Sequence, residues 1–335
     1  MADLHFRLPL TSHYVMVKSN QRQKIKFPIS CSAMKRLTRV AVWLVSGIAM
    51  GIVAFLGGGL AAASPFKQAD VALPMAAGEE GLVSLPGDPP QIPHRAAGFV
   101  YDFKLDEEQF FIHVPRGYDG KKPFGLVVFI NSGDEMDVPR DWKPMLAKRK
   151  LIYIAPQKIG NNYYTCRRVG LAVEAACKMT ELYNIDLRRV YVSGHSGGAR
   201  SACTTAFFHP DLIAGAFPIC GAEFPGRVPR VKAPRENAYG VFEGDPRLLE
   251  KAKANVGFAL ITGSKDFCHG YIQDLYNGGF VPQKYRAKLF DVAGMGHEIA
   301  RAQSVDAAVK WLDKGNDESK ENAGKKQDRE SLPMP

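Results

Sequence analysis

Short continuous apolar runs alternate with stretches of helical periodicity through the middle of the chain. The runs are GLVVFI (125–130), LIYIAP (151–156), RRVYVSG (188–194), AGAFPIC (214–220), GFALITG (257–263) and KYRAKLFDV (284–292). Runs of this kind form strands buried on both faces of a parallel sheet. Helical patterns over 167–183, 198–208, 246–254 and 304–314 separate them. Such alternation predicts βαβ crossovers and an α/β fold with a doubly wound, mostly parallel sheet. Ahead of it, FVYDF (99–103) and QFFIHVP (109–115), separated by KLDEE, predict an N-terminal hairpin. Residues 64–98 are rich in Pro, Gly and Ala and read as a linker. Residues 315–335 are charged, mixed in sign and without apolar period, which predicts a disordered tail. The expected domain is therefore 99–314.

The 335 residues carry a formal net charge of +10, a balance that points toward nucleic acid or an anionic surface. Its distribution removes that reading. Up to Arg39 there are eight basic residues and one acid, Asp3, so the start of the chain holds +7 and the body from Ser64 only +3. Residues 40–63 have no charge. Read from Met34, a basic stretch (KRLTR) precedes an apolar run (VAVWLVSGIAMGIVAF), three Gly and LAAASP, where Ala61 and Ala63 offer a small-residue cleavage site. Residues 1–63 thus read as a leader containing a signal peptide or, if it is uncleaved, a membrane anchor. In both cases the basic flank stays inside and the body is exported, to the periplasm or beyond. Any membrane contact is expected only through this segment.

Of six Cys, Cys31 lies in the leader and five follow: Cys166, Cys177, Cys203, Cys220 and Cys268. An odd number leaves at least one thiol free or paired between chains. There is no C-x-x-C pair and no zinc spacing, so buried thiols with one or two bridges are expected and no metal.

The chemistry sits at strand ends. After RRVYVSG comes Gly194-His195-Ser196-Gly197-Gly198, which satisfies G-x-S-x-G and is followed by a helix of small residues. A nucleophile held on a sharp strand-to-helix turn needs Gly on either side so that the elements can approach. The same turn sets its hydroxyl at a helix N-terminus, where free amides favour developing negative charge. Ser196 requires a base. Among eight His, His297 alone lies beyond the last strand, downstream of the elbow, in AGMGHEIA. The acid belongs between them in chain order. Asp266, just past GFALITG, suits that role better than Asp274, Asp291 or Glu298. The oxyanion donors are expected from the amide of Gly197 and from the loop Asn131-Ser132-Gly133-Asp134, with Ser132 and Gly133 as candidates. Tyr163 and Tyr164, in a loop after a strand, are candidate substrate contacts, and 221–245 is a Pro- and Arg-rich excursion placed to cap the site.

The stretch NIDLRRVYVSGHSGG resembles the elbow of secreted α/β-hydrolase esterases of the polyhydroxybutyrate depolymerase and feruloyl esterase type. The likeness takes in most of 99–314, including TGSKD and GMGH. It implies ester hydrolysis through an acyl-enzyme carried by Ser196, Asp266 and His297, on a small-molecule or polymeric ester and without a cofactor. One departure is Asn131-Ser132, where that family usually has His-Gly. A serine peptidase or acyltransferase of the same fold, or a catalytically silent envelope binding protein, remains an alternative at this point.

Overall fold

Eight strands form one sheet in the order β1-β2-β4-β3-β5-β6-β7-β8, in a computed structural model that describes residues 72–85, 103–228 and 244–330. The parallel part consists of β3 (Phe124–Ile130), β4 (Leu151–Pro156), β5 (Ile185–His195), β6 (Gly215–Ile219), β7 (Gly257–Gly263) and β8 (Arg286–Val292). Two antiparallel strands, β1 (Glu80–Val83) and β2 (Phe110–His113), extend the β4 edge.

The apolar runs are continuous because both faces are covered. On one face Leu126, Val128, Ile130, Ile154 and Val192 join the core beneath α2 (Thr165–Leu182), α3 (Gly197–Phe208) and α4 (Pro246–Asn255). On the other, Val127, Phe129, Tyr153 and Tyr191 pack under α1 (Trp142–Arg149) and α6 (Ala302–Glu330). A short α5 (His269–Leu275) follows β7. Successive residues of one strand thus serve opposite cores, which is the period of 2 expected of a pleat. Trp142 anchors α1 to the segment just before α6 by donating its indole N–H to Ala300 O at 2.9 Å.

Three sequence expectations change. The antiparallel partner of β2 towards the N-terminus is β1, in register Glu80 to His113 through Val83 to Phe110, while FVYDF, expected as its hairpin mate, lies outside the described residues except for Phe103. The stretch read as linker therefore contributes an edge strand. EGLV alternates exposed and half-buried positions, and its short period is hidden by Gly and Pro on either side. Glu80 fixes it by accepting from His113 Nδ1 at 2.9 Å and from Lys143 Nζ. Lastly, 315–330 is not structureless but continues α6. Lys, Glu, Gln and Arg propagate a helix well, and the costly first turns are already supplied by buried Val305, Ala308, Val309 and Leu312. The leader 1–63 lies outside the described residues. Among those described, no helix is long and apolar enough to cross a membrane.

Strand order reverses between β3 and β5, since β4 lies to one side and β6 to the other. Ligands in open α/β sheets bind beyond the carboxyl ends at such a switch point. Ser196 immediately follows β5 there.

Candidate active site

Ser196 occupies the turn between β5 and α3 with φ 55° and ψ −118°. A non-glycine residue in that region is strained and persists only where its surroundings fix it. They do so through the backbone: Ser196 N donates to Ile219 O at 2.9 Å, and Ser196 O accepts from Arg200 N at 3.3 Å. The end of β3 presses on the same turn. A Cβ on Gly194 would lie 2.4 Å from Ile130 O, and one on Gly198 only 1.9 Å from that atom. The two outer glycines of the motif are therefore demanded by one carbonyl.

The three residues expected from chain order meet here. His297 Nε2 is 2.9 Å from Ser196 Oγ, and His297 Nδ1 is 2.7 Å from Asp266 Oδ1. Asp266 is buried. Its Oδ1 also accepts from Cys268 N and its Oδ2 from Thr262 Oγ1, both at 2.9 Å. Burial by itself pushes this carboxyl up, but the Cys268 amide, His297, Thr262 and the Cys220 thiol together hold it below its ordinary value. An ionised carboxylate only accepts, so Nδ1 must carry a proton, and in the neutral ring Nε2 then presents a lone pair to the Ser196 hydroxyl. The rival Asp291 is engaged elsewhere, 2.9 Å from His269 Nε2.

Other neighbours were not legible as such. His195, the first variable residue of the motif, lies with its ring centroid 5.0 Å from that of His297, and its Nδ1 is 3.4 Å from Ser132 Oγ. Burial and the adjacent His297 lower its pKa, against a smaller opposing pull from Asp266. Cys220 has φ 53°, and its thiol approaches Glu298 O at 3.3 Å and Gly296 O at 3.4 Å, beneath the loop that bears His297. All five body cysteines are free thiols rather than partly bridged, and burial pushes Cys177, Cys203 and Cys220 up to about 12. Two groups, His195-Cys220-His297 and Asp266-Cys268-His297, bring metal-type ligand atoms within 4.8 Å. Both depend on His297, whose nitrogens already face Asp266 and Ser196, and no metal is assigned to either.

The oxyanion loop abuts the elbow. A Cβ on Gly198 would lie 3.0 Å from the carbonyl carbon of Asn131, which brings the Asn131–Ser132 peptide, and so the Ser132 amide, beside the first turn of α3. Arg168, fully buried, ties this loop to the next one by donating to Asn131 O at 2.8 Å and Ile159 O at 2.7 Å. Asn161 N donates to Ser132 O at 2.9 Å.

No family model matches the chain. Poly(3-hydroxyalkanoate) depolymerase C of Paucimonas lemoignei is 31% identical over 133 residues, which cover 35% of this chain and 32% of that protein. The match thus spans about a third of that relative's length. Among solved structures, an S-formylglutathione hydrolase from Staphylococcus aureus has a TM-score of 0.48 at 17% identity, over 72% of this chain and 99% of that one. A feruloyl esterase module from Clostridium thermocellum has a TM-score of 0.44 at 14% identity, over 61% and 82%. The sequence match is to a depolymerase, one of the two enzyme types named from the elbow sequence. The sheet order and the strained serine between β5 and α3 decide the architecture. The fold is that of an α/β-hydrolase.

In this fold, Tyr163 and Tyr164 stand exposed where the loop after β4 enters α2, with the Arg167 guanidinium 5.2 Å from the Tyr163 ring centroid. Of the excursion 221–245, residues 229–243 lie outside the described ones, while Ala222, Glu223 and Phe224 are buried. Glu223 forms an ion pair with Arg200, one turn beyond Ser196, at 3.5 Å. Burial raises its carboxyl to about 7, with Arg200 pulling the other way. The folded chain therefore binds more protons than the unfolded one between about pH 4.5 and 7, and stability falls as pH rises through that window. At about 1.4 kcal/mol per unit the fall is at most ~3.5 kcal/mol. Glu223→Gln should remove it, so urea midpoints at pH 5 and pH 7.5 should lie closer together for the variant than for the native chain. An unchanged gap would mean that Glu223 ionises freely in the folded state.

Proposed function

We propose that the chain is an exported serine esterase that hydrolyses carboxylic esters through an acyl-enzyme. The observation that carries this reading is the unbroken path from buried Asp266 to His297 to Ser196, at 2.7 and 2.9 Å, ending at a helix N-terminus. Ser196 Oγ attacks the ester carbonyl as its proton passes to His297 Nε2. Asp266 holds the imidazole in the required tautomer and stabilises the imidazolium. The tetrahedral oxyanion is bound by the Gly197 amide and an amide of the 131–134 loop, Ser132 before Gly133 on the packing against Gly198. His297 then protonates the departing alcohol, and water, activated by the same nitrogen, frees the acid and restores Ser196.

The substrate class is a small or polymeric carboxylic ester, in keeping with a relative named as a polyhydroxyalkanoate depolymerase. Tyr163 and Tyr164 are proposed to flank its path, and export rests on the pattern of 34–63. The purified chain should release p-nitrophenol from p-nitrophenyl acetate and take up one equivalent of a fluorophosphonate, recovered on the peptide containing Ser196. Absence of both would overturn the reading. Acetyl, feruloyl and polyester substrates, compared by kcat/KM, then rank the natural ester.

A further inference from the structure

Phe267 follows the acid of the triad directly, yet it is 79% exposed. A phenyl ring so placed gains little of the burial free energy that keeps such side chains inside, so packing of the fold does not account for it. What it touches is the base. The Phe267 and His297 rings stack with centroids 3.9 Å apart and planes 28° from parallel. The turn that aims the ring is also the turn that holds the acid: Asp266 N donates to Gly263 O at 2.9 Å, Cys268 N to Asp266 Oδ1 at 2.9 Å, and His269 N to Asp266 O at 3.0 Å. Acid and aromatic are thus set by one piece of backbone. The remaining polar groups around the imidazole are Ser196, His195, Cys220 and Cys268, and none of them lies flat against it.

We propose that Phe267 is a positioning residue for His297, holding the imidazole in the plane that reaches both Asp266 and Ser196 and offering its π face to the charge that ring gains during proton transfer. The proposal rests on the esterase reading. A neutral imidazole gains little from the phenyl face, whereas an imidazolium is attracted to it. The attraction therefore grows toward the tetrahedral intermediate and acts on kcat rather than on substrate binding.

Phe267→Leu keeps the bulk and removes the π face. Its kcat on p-nitrophenyl acetate should fall about two- to fivefold with KM within twofold, and Phe267→Tyr and Phe267→Trp should keep the native kcat. Phe267→Ala, which also frees the ring to rotate, should lose about tenfold. Native kcat in the Leu variant, or a loss confined to KM, would overturn the proposal. A second measurement reads the stack without turnover. Carbethoxylation of His297 by diethyl pyrocarbonate, followed on the peptide by mass, should be faster in Phe267→Ala than in the native chain, and equal rates would overturn the stack itself. If the native chain hydrolyses no ester and takes no fluorophosphonate while carbethoxylation still responds to Phe267, the esterase reading fails and the ring contact stands.

Discussion

Ser196→Ala should lower kcat for p-nitrophenyl acetate about a millionfold and abolish fluorophosphonate labelling, with the chain still folded. The size follows from what the hydroxyl alone does. Alanine keeps the backbone bonds that fix the turn, Ser196 N to Ile219 O and Arg200 N to Ser196 O, and it occupies the same strained φ of 55° that serine does. No cavity opens, because only one oxygen is lost, and from a half-buried site. The thermal midpoint should accordingly stay within a few degrees of native. Any residual rate comes from the oxyanion amides and substrate positioning, worth about 10³ to 10⁴ over water. Labelling of the variant at full stoichiometry would remove Ser196 from the nucleophile's role and the esterase mechanism with it.

The parts of the molecule that sequence revealed are those where local pattern and tertiary role coincide. GLVVFI, LIYIAP and GFALITG are strands because each residue is claimed by one core or the other, and no polar face interrupts the run. Gly194 and Gly198 carry the elbow in plain view, since the carbonyl of Ile130 leaves no room for a Cβ. Asp266 and His297 could be placed by chain order and by their positions past β7 and β8. Where local pattern and tertiary role part, the sequence carries no local signal of the element. β1 is four residues long amid Gly and Pro, and its partner β2 lies some thirty residues away, so nothing nearby announces it. Helix α1 has Pro144 within its first turn and spans eight residues, too few for a clear period. The polar end of α6 has no apolar stripe because it prolongs a helix already docked upstream. Phe267 has the least signal of all. Its stack on His297 exists only because the loops after β7 and β8 close on each other, and an exposed aromatic in a polar loop has no pattern to betray it.

Asp266→Asn should lower kcat by about 10³ to 10⁴ while KM stays nearly unchanged. The carboxylate accepts three hydrogen bonds, from His297 Nδ1, Cys268 N and Thr262 Oγ1, and an amide cannot reproduce that set. With its NH₂ turned toward His297, it would require Nδ1 to accept, which moves the ring proton to Nε2 and removes the lone pair that Ser196 needs. With its oxygen toward His297 and Cys268, the tautomer survives, because the Thr262 hydroxyl can rotate to accept. The imidazolium formed during attack would still face a neutral group where a buried negative charge had been, in surroundings that strengthen electrostatic interactions. Either arrangement slows attack without weakening substrate binding, so phosphonylation of Ser196 by the fluorophosphonate should slow in parallel with ester hydrolysis. Asp291→Asn supplies the contrast. That carboxylate lies within β8 and pairs with His269 rather than with His297, so kcat should remain within twofold of native. If instead Asp266→Asn retained more than a tenth of the native kcat and Asp291→Asn lost it, the acid would have to be reassigned, and the hydrogen bond between Asp266 and His297 would have no part in the chemistry.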